Sequence, residues 1–175
     1  MQKYMIKLLS IADLISISNA ILGFLAIIML FLNEIHYSFS LILLAMITDG
    51  IDGLVARRTK HSNLGEYMEA MGDMISLVIA PALFVYQTYS KDIITSNNNI
   101  QHLLLILVLT IFLSFNIIRL SSFHLMKEKK IFIGLPASAS TIIILIISYL
   151  KIEYIYLTII HLYLYQTFVF QNQIT

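Results

Sequence analysis

Apolar residues run along this chain in stretches of about 20, the length an α-helix needs to cross the hydrocarbon core of a bilayer. Polar residues are gathered into short intervals between those stretches. The pattern predicts helical spans at roughly 11–32, 38–57, 67–90, 102–124, 134–150 and 153–171. Only Lys151 and Glu153 divide the fifth from the sixth, and Asn97 to Asn99 reads as a polar loop. Nothing between the spans resembles a linker, a repeat or a low-complexity tract. The expected fold is therefore all-α and integral to the membrane: one domain over residues 1–175, a bundle of about six transmembrane helices.

Composition agrees with that setting. Hydrophobic residues make up 59% of the chain and charged residues 12%, against about 25% charged in an average soluble domain; the mean hydropathy is +0.86. The first span does not read as a cleaved signal peptide, because its apolar stretch outruns an h-region and no small-x-small site precedes a soluble domain. With no cysteine, disulfides, thiolate metal sites and cysteine nucleophiles are excluded. A net charge of +1 gives no reason to expect a nucleic-acid partner.

Lysine and arginine set the expected orientation. Lys3, Lys7, Arg57, Arg58, Lys60, Lys127, Lys129 and Lys130 fall on one side of the six spans, Lys91 and Lys151 on the other, and Arg119 lies within the fourth. The richer side is the cytoplasmic one, which places both termini there in a multi-pass protein of the cell membrane.

The same side carries an unusual concentration of acids. Residues 49–73 read DGIDGLVARRTKHSNLGEYMEAMGD and hold five of the ten acidic residues and four of the six glycines. On two helices joined by a basic loop, Asp49 and Asp52 are i,i+3 neighbours, and Glu69 and Asp73 are i,i+4 neighbours, so each pair shares a helix face. Carboxylates gathered in a low-dielectric setting repel one another and are costly to desolvate, which calls for cations between them. Oxygen-only ligands favour a hard ion such as magnesium, manganese or calcium. The bland alternative has Asp49 and Asp52 as interfacial residues paired with Arg57 and Arg58; it explains a single acid better than a spaced set of four. Gly53 and Ala56 keep the face beyond Asp49 low, so that a bulky ligand can approach, and Arg57 offers a fixed charge suited to phosphate. Glu66 reads as an electrostatic cap near the start of the third helix.

The pattern D-x-x-D-G-x-x-A-R followed by G-x-x-x-D-x-x-x-D resembles the signature of the CDP-alcohol phosphatidyltransferases. Asp49, Asp52, Gly53, Ala56 and Arg57, then Gly65, Glu69 and Asp73, occupy its positions. Glu69 stands where that family has aspartate; it keeps the carboxylate and adds a methylene. The residues after Asp73, ISLVIAPAL, are similar to the serine-using branch of phosphatidylserine and archaetidylserine synthases. So are Asn19 with Gly23, Arg119-Leu120 with Phe123, and Gly134-Leu135-Pro136. The resemblance covers about residues 15–145.

That resemblance implies a homodimer of six-helix chains, a CDP-lipid donor and an L-serine acceptor, while the charge distribution puts the active site on the cytoplasmic side. It implies two Mg²⁺ or Mn²⁺ ions held by Asp49, Asp52, Glu69 and Asp73, with Asp73 also the base for the acceptor hydroxyl. Gly53, Ala56, Arg57 and Gly65 would shape the nucleotide site. Arg119, an arginine within a span, needs an anionic or carbonyl partner; it reads as a clamp for the serine carboxylate or the donor phosphate, with Asn116 beside it, or else as a structural partner of a motif acid. Glycerol phosphate and inositol phosphate are the rival acceptors. A cation transporter and an inactive structural relative are the readings from other classes.

Overall fold

The computed structural model describes residues 10–56, 65–127 and 137–151, and gives only the backbone at 11–12, 52–56, 66, 122–127 and 137. Every regular element among the described residues is helical. In chain order these are α1 (Ile11–Phe31), α2 (Ile35–Ala56), α3 (Gly65–Asp73), a π-helical segment (Met74–Ile79), α4 (Ala80–Thr95), α5 (Asn99–Lys127) and α6 (Ala137–Tyr149). Three stretches are long and apolar enough to cross a membrane: Asp13–Phe31, Tyr67–Thr95 and Asn99–Ser121. Ile35–Ile51 and Ser138–Tyr149 are shorter apolar helices. This fits an all-α integral membrane protein. The sixth predicted span, 153–171, lies outside the described residues.

The helix ends have local causes. Ser10 and Asp13 close a reciprocal cap on α1: the Ser10 hydroxyl accepts from the Asp13 amide at 3.2 Å, and the Asp13 carboxylate accepts from the Ser10 amide at 2.7 Å. At the other end Asn33 takes a left-handed conformation (φ 61°). Its amide bonds the Leu30 carbonyl, and the Glu34 amide reaches back to Met29, a Schellman stop. Asn97 (φ 53°) ends α4 in the same way, with bonds to Ile94 and, from Asn98, to Ile93. Asparagine tolerates this backbone region better than most residues. The stop comes five residues later than the hydropathy boundary at 90, because Ser90, Lys91 and Asp92 are polar without being helix breakers. The Asn98 side chain then caps α5 by accepting from the Gln101 amide.

The π segment has a candidate cause just beyond it. Pro81 has no N–H, and in a regular α-helix a proline ring clashes with the carbonyl four residues back. The chain widens before it, so that the Ala80 amide bonds Ile75, five residues earlier.

The chain divides into two compact units at Ala80/Pro81. In the first, α1 packs against α2, α3 and the π segment, and α2 also meets the π segment. The buried face of α1 is a stripe of Asp13, Ser16, Asn19, Gly23, Ala26 and Leu30, spaced by threes and fours as a helix requires. It is polar in its first half and apolar in its second. The second unit buries larger side chains, among them Phe84, Val85, Leu105, Phe112, Ile144 and Leu145. Polar contacts bind its elements: the Tyr86 hydroxyl lies 3.1 Å from His102 Nε2, and Lys151 Nζ lies 3.3 Å from Asp92.

Candidate active site

The polar half of the α1 stripe meets α3 through unusually small residues. A Cβ on Gly72 would stand 2.9 Å from the Ser16 carbonyl oxygen, and a Cβ on Gly23 would stand 2.6 Å from Ser76 Cα. Only hydrogen fits at either place, so the two backbones lie in direct contact. Between these points the buried Asn19 side chain donates from Nδ2 to Asp73 Oδ1 at 3.1 Å. Ser76 closes the group by donating to the Gly72 carbonyl at 3.0 Å.

Asp73 is the last residue of α3, half-buried, at the point where the helix changes from α to π. Glu69 is half-buried one turn before it, and Gly65 is buried at the helix start. Asp49 is half-buried on α2. The backbone at Asp52, Gly53 and Ala56 continues α2, while their side chains and the whole of Arg57 lie outside the described residues. No three acidic or histidine side chains close into a metal-holding group among the described residues. Asp49, Glu69 and Asp73 therefore do not form such a group by themselves. The donor chemistry, carboxylate oxygen throughout, suits a hard divalent cation.

In the second unit, α5 carries Asn116 and Arg119. Asn116 is buried and its Nδ2 donates to the Phe112 carbonyl of its own helix at 2.9 Å, while Arg119 is half-buried.

Three features here escape the motif. Asn19 was visible only as part of the first-helix resemblance; no spacing rule links it to a carboxylate 54 residues away. Gly72 serves the approach of α3 to α1. Gly50, by contrast, has open space around a Cβ among the described residues. Asp13, fully buried, forms the capping box of α1 with Ser10.

The CDP-alcohol phosphatidyltransferase profile matches residues 9–170. Among curated proteins, the chain is similar to a CDP-diacylglycerol–serine O-phosphatidyltransferase of Methanocaldococcus jannaschii, with 34% identity over 139 residues, 79% of this chain and 60% of that one. It is 31% identical to an archaetidylserine synthase of Methanothermobacter thermautotrophicus over 146 residues, 81% of this chain and 59% of the relative. A CDP-diacylglycerol–serine O-phosphatidyltransferase of Bacillus subtilis matches at 28% over 140 residues, 78% of this chain and 73% of its own. The matches thus span about three fifths of the length of the two archaeal relatives. Enzymes of this profile generally depend on divalent metal. With the profile covering most of its length and the signature acids on α2 and α3, this chain belongs to the CDP-alcohol phosphatidyltransferase family.

Proposed function

We propose that the protein transfers a phosphatidyl or archaetidyl group from a CDP-lipid to the hydroxyl of L-serine and releases CMP. The observation that carries this reading is the serine-synthase character of the relatives, together with Asp49, Asp52, Glu69 and Asp73 standing on two helices of one compact unit. The serine oxygen forms a bond to the lipid-side phosphorus, and the bond from that phosphorus to the bridging oxygen breaks, so that CMP departs with the electron pair. Asp73 accepts the hydroxyl proton, which a neutral alcohol does not readily give up unaided at neutral pH. Two Mg²⁺ or Mn²⁺ ions held by Asp49, Asp52, Glu69 and Asp73 would neutralise the diphosphate and the charge gathering on the leaving group. Gly53, Ala56, Arg57 and Gly65 admit and hold the nucleotide. Arg119, with Asn116 beside it, grips the serine carboxylate through the planar fork of its guanidinium.

The proposed setting is a homodimer with six spans per chain in the cell membrane, and with the site and both termini cytoplasmic. The excess of basic residues on one side of the spans supports that orientation. An acceptor screen tests the reading: purified protein is given CDP-diacylglycerol or CDP-archaeol with serine, glycerol phosphate or inositol phosphate, and CMP is followed. Serine-dependent, chelator-sensitive release is expected. Release with a phosphorylated acceptor and none with serine would overturn the serine assignment.

A further inference from the structure

We propose that Asn19 is a positioning residue for Asp73, fixing one oxygen of that carboxylate so that the group is presented in a single orientation. This rests on the reading of Asp73 given above and goes beyond the signature, to which Asn19 does not belong. Three observations carry it. First, Asn19 is 3% exposed and its Nδ2 donates to Asp73 Oδ1 at 3.1 Å, whereas its Oδ1 has no hydrogen-bond partner among the described residues. The carboxylate accepts only, so the amide nitrogen must be the atom facing it. A buried amide satisfied on one side is a poor choice for stability alone, because the desolvation of the other side goes uncompensated.

Second, the bond is clamped. Ser16 against Gly72 and Gly23 against Ser76 are contacts that leave no room for a Cβ, and Asn19 with Asp73 lies between them in sequence on both helices. Neither helix can slide or rotate without breaking a backbone contact, so the donor meets the carboxylate in one register. Third, the π segment begins at Met74. The widened turn changes the helix phase immediately after Asp73, where Ser76 must seat against Gly23. A π turn at such a place is a frequent companion of functional residues.

Asn19 thus supplies the outer support that carboxylate ligands and bases require, and loss of such support typically costs about 10–100-fold in metal affinity or activity. The experiment uses the full chain in lipid nanodiscs and two variants: Asn19→Leu, which keeps the bulk, and Asn19→Ser, whose hydroxyl is too short to reach Asp73. Mn²⁺ binding without substrate is read by electron paramagnetic resonance, alongside kcat, the serine KM and thermal melting. Both variants should weaken Mn²⁺ binding and lower kcat by about 10-fold, with the serine KM within about twofold. In an Asp73→Asn background, neither should change Mn²⁺ affinity further, since the carboxylate through which Asn19 acts is gone.

If Mn²⁺ binding and kcat stay at wild-type levels in both variants while Asp73→Asn is inactive, the Asn19 inference is overturned and the reading of Asp73 stands. An active, folded Asp73→Asn protein overturns the reading itself, and the inference with it. Activity lost only in proportion to lost folded protein assigns Asn19 to packing and overturns the proposal.

Discussion

Around the Asn19–Asp73 bond, α1 meets α3 and the π segment through Ser16, Gly23, Gly72 and Ser76, all buried; in the second unit the buried residues include Phe84, Leu105, Phe112, Ile144 and Leu145. The first set holds two backbones together with almost no side chain between them. The second fills its interior with bulk. In a bilayer, lipid tails are as apolar as leucine, so helices gain little from hiding large side chains and associate through packing and hydrogen bonds. Small residues permit close approach and fix register tightly, but they accept no added atom. Bulky side chains can repack around a change of shape. Groups that must be held to a fraction of an ångström therefore belong beside the first kind of contact, where Asp73, the proposed base, stands.

The widest separation between the two regions should come from the acids. Asp49→Asn and Asp52→Asn keep side-chain size and remove charge, so each should lower turnover by at least about 100-fold while the melting temperature stays near that of the wild type. CMP release and thermal melting on the same preparation check this. Near-wild-type turnover in either folded variant would remove that residue from the ligand set.

The glycines sharpen the comparison further. Gly23→Ala sets a Cβ 2.6 Å from Ser76 Cα, a backbone clash that no rotamer can relieve. The helices must part, at an expected cost of about 1–3 kcal/mol in stability. Because Asn19 and Asp73 separate with them, turnover should fall by tens-fold, the scale of a displacement of about 1 Å. Gly50→Ala is the matched control: among the described residues nothing lies within 4 Å of its Cβ, and alanine should gain up to about 1 kcal/mol of helix propensity with turnover unchanged. Equal losses in the two variants would show that the close contact at Gly23 is not what matters.

These residues also mark how far the sequence could be read. The spacing of acids along α2 and α3 needs only helical periodicity, and so do the helices found at the first five predicted spans. The Ser10-x-x-Asp13 cap and the asparagines that end α1 and α4 are local chemistry within a few residues. The Asn19–Asp73 bond depends on how two helices cross, which periodicity does not determine. The π segment at Met74–Ile79 and the seat of Ser76 against Gly23 are likewise not given by composition. The Asn19–Asp73 contact, unlike the spacing of the acids, is a property of two helices together and is not written in either one alone.

Arg119 tests whether the second unit contributes chemistry as well as bulk. Lysine keeps the charge but loses the two-pronged donor geometry. If Arg119 grips the serine carboxylate, Arg119→Lys should raise the serine KM by about 10-fold with the CDP-lipid KM nearly unchanged, because a group that touches only the acceptor contributes mostly to acceptor binding. A rise in the CDP-lipid constant alone would move Arg119 to the donor phosphates. Lower melting with both constants intact would make it structural, since lysine cannot reproduce the contacts of the half-buried guanidinium.

Phe112→Leu should give the smallest effect on turnover and so defines the tolerant side of the comparison. Phe112 is 1% exposed, and its carbonyl accepts from the Asn116 side chain, a bond that a side-chain replacement leaves in place. Leucine fills most of the ring's volume, and neighbours can move to close the remainder, so the expected cost is about 1 kcal/mol. Thermal melting should report that loss, while CMP release well below the transition stays within about twofold of wild type. A fall in turnover as large as that of Gly23→Ala would mean that the bulky interior is coupled to the reacting groups as tightly as the glycine contact, and the division of labour between the two regions would be wrong. Unchanged turnover with a lower melting temperature would separate stability from positioning within one chain.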